Sequence, residues 1–132
     1  MLQAALKEWH RIAAEKDAKG LDDILADEVV FQSPVVHTPQ RGKAITTAYL
    51  TAALHVLNNE HFHYTGEWTA DNSAVLNFVT SLDGIEIDGV DIITWNDEGK
   101  IVNFKVMVRP LKAINMLHQM MAAMLASMKP KG

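Results

Sequence analysis

The chain has 132 residues, 48% of them apolar and 21% charged, with a net charge of −4 and no cysteine. That length fits a single domain spanning 1–132 around one substantial core, and the composition is that of a globular chain. The absence of any Lys/Arg block leaves no electrostatic footprint for nucleic acid, and the lack of Cys excludes disulfides, thiolate catalysis and Cys-ligated metals.

The N-terminal MLQAALKEWHRIAAEK carries charge from Lys7 onward and has no apolar core of signal-peptide length. No run approaches the roughly 18 apolar residues that a membrane helix needs. The expectation is a cytoplasmic protein with no membrane partner.

In chain order, Leu2, Ala5, Leu6, Trp9, Ile12 and Ala13 recur at spacings of three and four, which predicts an amphipathic helix over about the first 18 residues. Ala18-Lys19-Gly20 stops it, and LDDILA begins a short second helix with acidic residues in its first turn. A strand over residues 28–32 ends at Ser33-Pro34, and residues 35–42 read as a loop punctuated by Pro39 and Gly42. Ile45, Ala48, Tyr49, Ala52, Ala53 and Val56 share one face of a helix over residues 43–57. Strands follow at 61–69, 74–82 and 85–95, with turn signals at Asp71-Asn72 and Asp83-Gly84. Asn96-Asp97-Glu98-Gly99 turns the chain into a strand over 100–108, and Pro110 starts the last helix. Segregated helices and meandering strands predict an α+β fold, with helices on one face of a curved antiparallel sheet.

This pattern resembles the nuclear-transport-factor-2-like, or SnoaL-like, α+β cone fold, in which the curved sheet wraps around the N-terminal helices. The resemblance spans nearly the whole chain. It rests on LDDILADEVVFQSP (21–34), the loop ending at Gly42 before an Ile-bearing helix, and DIITWNDEGKIVNFKV (91–106). The family includes steroid isomerases, epoxide hydrolases, polyketide cyclases and non-catalytic binding domains, so the fold alone leaves function open. Set beside the steroid isomerases, this sequence keeps their oxyanion-hole Asp at Asp91. It places Ser33 where their general-base Asp precedes a Pro, and a residue near Ile12 where their Tyr lies on the first helix. A hydroxyl as weakly basic as that of Ser33 is a poor general base. The Asp that the epoxide hydrolases and cyclases carry on the last long strand falls near Val106.

Asp91 is the candidate catalytic residue. Strand alternation puts it on one face with Ile93 and Trp95, and the resemblance points that face into a pocket. There, desolvation would raise its pKa and leave a neutral carboxyl able to donate a hydrogen bond. The alternative is a carboxylate accepting backbone amides near a strand end. Candidate ligand contacts are Ser33 at the end of its strand, Tyr49 on the long helix and His37 in the loop beyond Ser33-Pro34. Phe31, Phe78, Trp95 and Phe104 are candidates for cavity wall or core. His61 and His63, with Glu60 and His55 nearby, show no metal-site spacing; neither a metal nor a cofactor is implied.

The last helix is apolar over roughly 200° of its circumference, wider than one core-facing stripe needs. It also holds five of the seven Met residues. A second copy of the chain covering that face, a homodimer, is the expectation. The functional expectation is a small apolar-ligand-binding protein whose ligand carries a carbonyl or hydroxyl. The alternatives are an isomerase, cyclase or hydratase using Asp91 as acid or oxyanion donor, and a dimeric interaction module.

Overall fold

The computed structural model describes residues 2–128, with side chains from Ala4 onward; Leu2, placed on the apolar face of the first helix, has its side chain outside the described residues. Helix α1 (Leu2–Glu15) ends where Lys16 turns to φ 52, and a 3-10 turn (Ala18–Gly20) leads into the short α2 (Leu21–Ile24). Six strands and two further helices follow: β1 (Leu25–Gln32), β2 (Gln40–Arg41), α3 (Lys43–Val56), β3 (His63–Thr69), β4 (Ser73–Leu82), β5 (Ile85–Trp95), β6 (Ile101–Arg109) and α4 (Leu111–Met128).

The strands form one curved, open sheet in the order β2-β1-β6-β5-β4-β3. All pairings are antiparallel except β1 with β6, which run parallel and make the sheet mixed. Two differences from the sequence reading have physical causes. Strand β1 starts at Leu25, not at residue 28, because Leu25 already pairs with Ile101 across a bulge that precedes Val30. Tertiary pairing there overrides the helical signal of LDDILA. Strand β2 is only two residues long, too short to show a period, and lies in the segment read as loop.

The turns form as their chemistry dictates. Asp83 (φ 48) and Gly84 (φ 78) both adopt positive φ at the β4–β5 hairpin, the requirement that favours Asp-Gly there. The side-chain oxygen of Asn96 accepts from the Glu98 and Lys100 amides at 2.9 and 3.0 Å, and Gly99 completes the turn at φ 78.

Alternation along β4 and β5 buries Leu76, Phe78 and Thr80 beside Ile87, Gly89, Asp91 and Ile93, on the face that α1 and α3 cover. Trp9 of α1 meets Phe104 of β6 edge-on at 4.9 Å. Helix α3 packs on β1 and on α4. Opposite Phe78 in the β4–β5 register lies Gly89, where a Cβ would stand 2.5 Å from the Phe78 ring and 2.8 Å from the Met107 carbonyl. Glycine is therefore needed for Phe78 to lie flat across β5.

On α4, only Ala113 and Leu117 are fully buried; Met116, Met120, Met121 and Met124 are half-buried against the core. Part of the wide apolar arc is thus used within the chain, while Leu111 and Met128 remain exposed. No helix among the described residues is long and apolar enough to cross a membrane.

Candidate functional site

Asp91 sits mid-strand on β5 with Leu76 opposite it on β4 and Val106 opposite it on β6. Its side chain is 6% exposed and points to the helix-covered face. Apolar neighbours on both flanking strands remove water from the carboxylate without replacing its hydrogen bonds. Burial consequently pushes the Asp91 carboxyl up from 3.8 to about 7, partly offset by a hydrogen bond from Tyr64.

That bond belongs to a chain whose direction is set by chemistry. The Trp9 indole N–H is a donor only, and it lies 3.1 Å from the Tyr64 hydroxyl oxygen. The Tyr64 O–H accepts there and donates its own proton to Asp91 Oδ2 at 2.8 Å. Burial first, and the Asp91 charge second, push the Tyr64 phenol well above its ordinary value, so it remains a donor. Helix α1, strand β3 and strand β5 thus each contribute one member of a relay that ends on one carboxyl oxygen of Asp91.

These groups border a small chamber of ≈ 30 Å³, walled by the rings of Trp9, Phe62, Tyr64, Phe78 and Phe104 with Leu54 and Val106. Its lining is apolar except for Asp91, the Tyr64 hydroxyl and Asn58. Chemically, it can hold a carboxyl poised between its two protonation states next to a phenol that remains protonated. Protonated, Asp91 donates a hydrogen bond to a carbonyl oxygen; ionised, it accepts one from a hydroxyl or takes a proton.

Of the residues expected from sequence, Asp91, Phe78 and Phe104 meet at this chamber. Phe31 and Tyr49 lie behind its wall, with rings 5.3 Å apart and Phe31 6.2 Å from Phe104. Trp95 is buried, with its indole N–H unpartnered, but does not border the chamber. Ser33 and His37 lie along a separate groove of ≈ 490 Å³ beside Lys105 and Met107. The Ser33 hydroxyl there accepts from the Val35 amide at 3.1 Å, an ordinary turn contact, and His37 is exposed. Ile12 is fully buried core and offers no hydroxyl.

Sequence reasoning missed Tyr64 and the second role of Trp9. Tyr64 lies on the largely exposed strand β3, 27 residues from Asp91, and Trp9 reads simply as core on α1. Period-two spacing does put Tyr64 on one face with Phe62, which was the available signal.

A larger depression, ≈ 710 Å³, lies among His61, His63 and Arg109 beside the β4–β5 hairpin. It is a poorer candidate. Its charges compensate one another, with Arg109 3.2 Å from Asp88. Elsewhere, Arg11 holds Glu8 and Asp17 below the usual carboxylate range through side-chain hydrogen bonds, an exposed structural cluster.

Comparison with known proteins places this geometry in a family. A steroid delta-isomerase from Pseudomonas aeruginosa superposes with a TM-score of 0.91 at 36% identity, over 96% of this chain and 92% of that one. An uncharacterized bacterial protein with a cystatin-like fold from Silicibacter pomeroyi superposes at 0.84 and 27% identity, over 90% of this chain and 83% of that one. An NTF-2 like protein of unknown function from Burkholderia xenovorans shares the fold at TM-score 0.67 and 19% identity, over 89% and 91% of the two chains. No curated protein matched the sequence. The SnoaL-like domain model matches residues 6–104. The chain belongs to the SnoaL-like domain family.

Proposed function

We propose that this protein binds a small, largely apolar molecule through a carbonyl or hydroxyl that hydrogen-bonds to Asp91. One observation carries the reading: a carboxyl buried among five aromatic rings, with Tyr64 donating to one of its oxygens, in a chamber otherwise lined by apolar side chains and Asn58. A carboxyl held near 7 exchanges donor for acceptor close to neutral pH, which suits a ligand oxygen better than it suits stability. Similarity to the Pseudomonas aeruginosa steroid delta-isomerase, 36% identical, supports a largely apolar ligand.

A second reading, catalysis of the isomerase type with Asp91 as the proton-transfer group, is favoured by the same value. General acid–base groups work best when their pKa lies near the working pH. Against it stands Ser33, which occupies the general-base position implied by the resemblance and is engaged in a turn outside the chamber.

Native mass spectrometry of the purified protein tests the binding reading. The expected result is a retained small molecule in the wild type that is lost in Asp91→Ala. Equal retention by both would overturn it. Conversion of a β,γ-unsaturated cyclic ketone to its conjugated isomer, followed by ultraviolet absorbance and lost in Asp91→Asn, would move the assignment from binding to catalysis.

A homodimer through α4 is part of the same proposal, supported by the exposed apolar side chains of Leu111 (71% exposed) and Met128 at its two ends. Leu111→Asp should lower the sedimentation mass to that of a monomer.

A further inference from the structure

Two hollows meet at a partition of three residues. The Asp91 chamber, at ≈ 30 Å³, has room for about one water molecule and none for an organic ligand. Outside it, between the second half of α1 and the segment 58–64, lies a cleft of ≈ 330 Å³. The cleft and the chamber share three residues, Asn58, Phe62 and Tyr64, which together form the partition between them. The groove beside Ser33 shares only Val106 with the chamber. Val106 is a buried β6 residue paired to Asp91 within the sheet.

Within the partition, two members are tied and one is not. The Asn58 side-chain amide donates to the Ala13 carbonyl at 3.1 Å, fastening the end of α3 to α1. The Tyr64 hydroxyl is held between Trp9 and Asp91. The Phe62 ring has no polar tether, although its backbone N–H donates to the Asn59 carbonyl at 3.1 Å; it sits in the turn before β3, half-buried, stacked on Phe78 at 5.3 Å and edge-on to Tyr64 at 5.1 Å. Stacking energies of about 1 kcal/mol are readily exchanged for similar stacking on a ligand.

We propose that the outer cleft is the second half of the ligand site and that Phe62 is the residue that sets what it admits. The two halves together take a flat one- or two-ring ketone. Its carbonyl reaches Asp91 once the Phe62 ring turns aside, and its ring body lies between Ala13 and Ala14 of α1 and the Tyr64 ring. The size limit follows from volume, since about 150 Å³ accommodates a single benzene and the cleft has roughly twice that. This inference rests on Asp91 as the anchor proposed above, and its test separates the two.

The probe is 2-acetylnaphthalene, titrated by calorimetry with ¹³C-methyl alanine spectra recorded in parallel. Ala14 is exposed on α1, so Ala14→Trp fills the cleft from outside without disturbing the core. The expected results are binding by the wild type with a shifted Ala14 methyl, and at least tenfold weaker binding by Ala14→Trp. Phe62→Ala should speed association at least several-fold. Asp91→Leu, which removes the donor at similar volume, should weaken binding while the Ala14 methyl still shifts.

Loss of binding in Asp91→Leu with full affinity in Ala14→Trp would leave Asp91 as the anchor and remove the cleft from the site. Loss in Ala14→Trp with full affinity in Asp91→Leu would make the cleft a separate site, overturning both proposals. No binding by the wild type at millimolar probe would overturn the ring-ketone assignment.

Discussion

Asp91 and Ser33 occupy two positions to which one family resemblance assigns polar chemistry, and the structure treats them in opposite ways. Ser33 lies half-exposed at the end of β1, with its hydroxyl accepting the Val35 amide as any turn serine would. Asp91 is buried mid-sheet between Leu76 and Val106, with one phenol for company. Surroundings, not residue type, set the difference. A polar group whose hydrogen bonds are met locally costs the fold little, whereas a desolvated carboxyl costs stability that packing elsewhere must offset.

The largest expected effect lies in the pH dependence of stability. The folded pKa of Asp91, about 7, lies above its ordinary 3.8, so the folded state holds the proton more tightly. The stability it contributes is full below pH 3.8 and is lost as pH rises through 7. The rise corresponds to about 4 kcal/mol. Denaturant titrations at pH 4 and pH 8 should show wild-type stability falling by about that much relative to Asp91→Asn, which carries no such proton. Using the difference between the two proteins cancels the opposite trend from Glu8 and Asp17, whose pKa values are lowered. Parallel curves for the two proteins would erase the contrast with Ser33.

A smaller effect should come from the chamber wall. Gly89→Ala places a methyl against the Phe78 ring and the Met107 carbonyl, and should cost about 1–3 kcal/mol by overpacking, read as a lowered denaturation midpoint. Tyr64→Phe leaves the Trp9 N–H without its acceptor and Asp91 without its donor, and should cost about 1–3 kcal/mol as well. Because the Tyr64 bond lowers the Asp91 pKa, its loss should move that value above 7. At the other end of the scale, Ser33→Ala should change stability by no more than about 0.5 kcal/mol and leave Asp91 unmoved. A Ser33 variant that shifts Asp91 would show the two regions to be one site.

How far these features were legible in the sequence depends on where their causes lie. The Asp83-Gly84 and Asn96–Gly99 turns are local chemistry, and the strict alternation of β4 and β5 marks a half-buried sheet, so both could be read directly. Asp91 was legible because it breaks an apolar β-branched run. The parallel pairing of β1 with β6 and the two-residue β2 arise only when distant segments meet. The same holds for the relay. Trp9 and Tyr64 are 55 residues apart, and nothing local marks one as the other's donor. Phe62 was invisible for a different reason, since its place between chamber and cleft depends on volumes that no pattern encodes.

Selective ¹³C labelling of aspartate carboxyls, followed by NMR from pH 3 to pH 9, examines Asp91 directly. One resonance should titrate near 7, and it should be absent in Asp91→Asn. If every aspartate in the protein titrated close to 4, Asp91 would be solvated, and the pocket anchor proposed for it would be wrong.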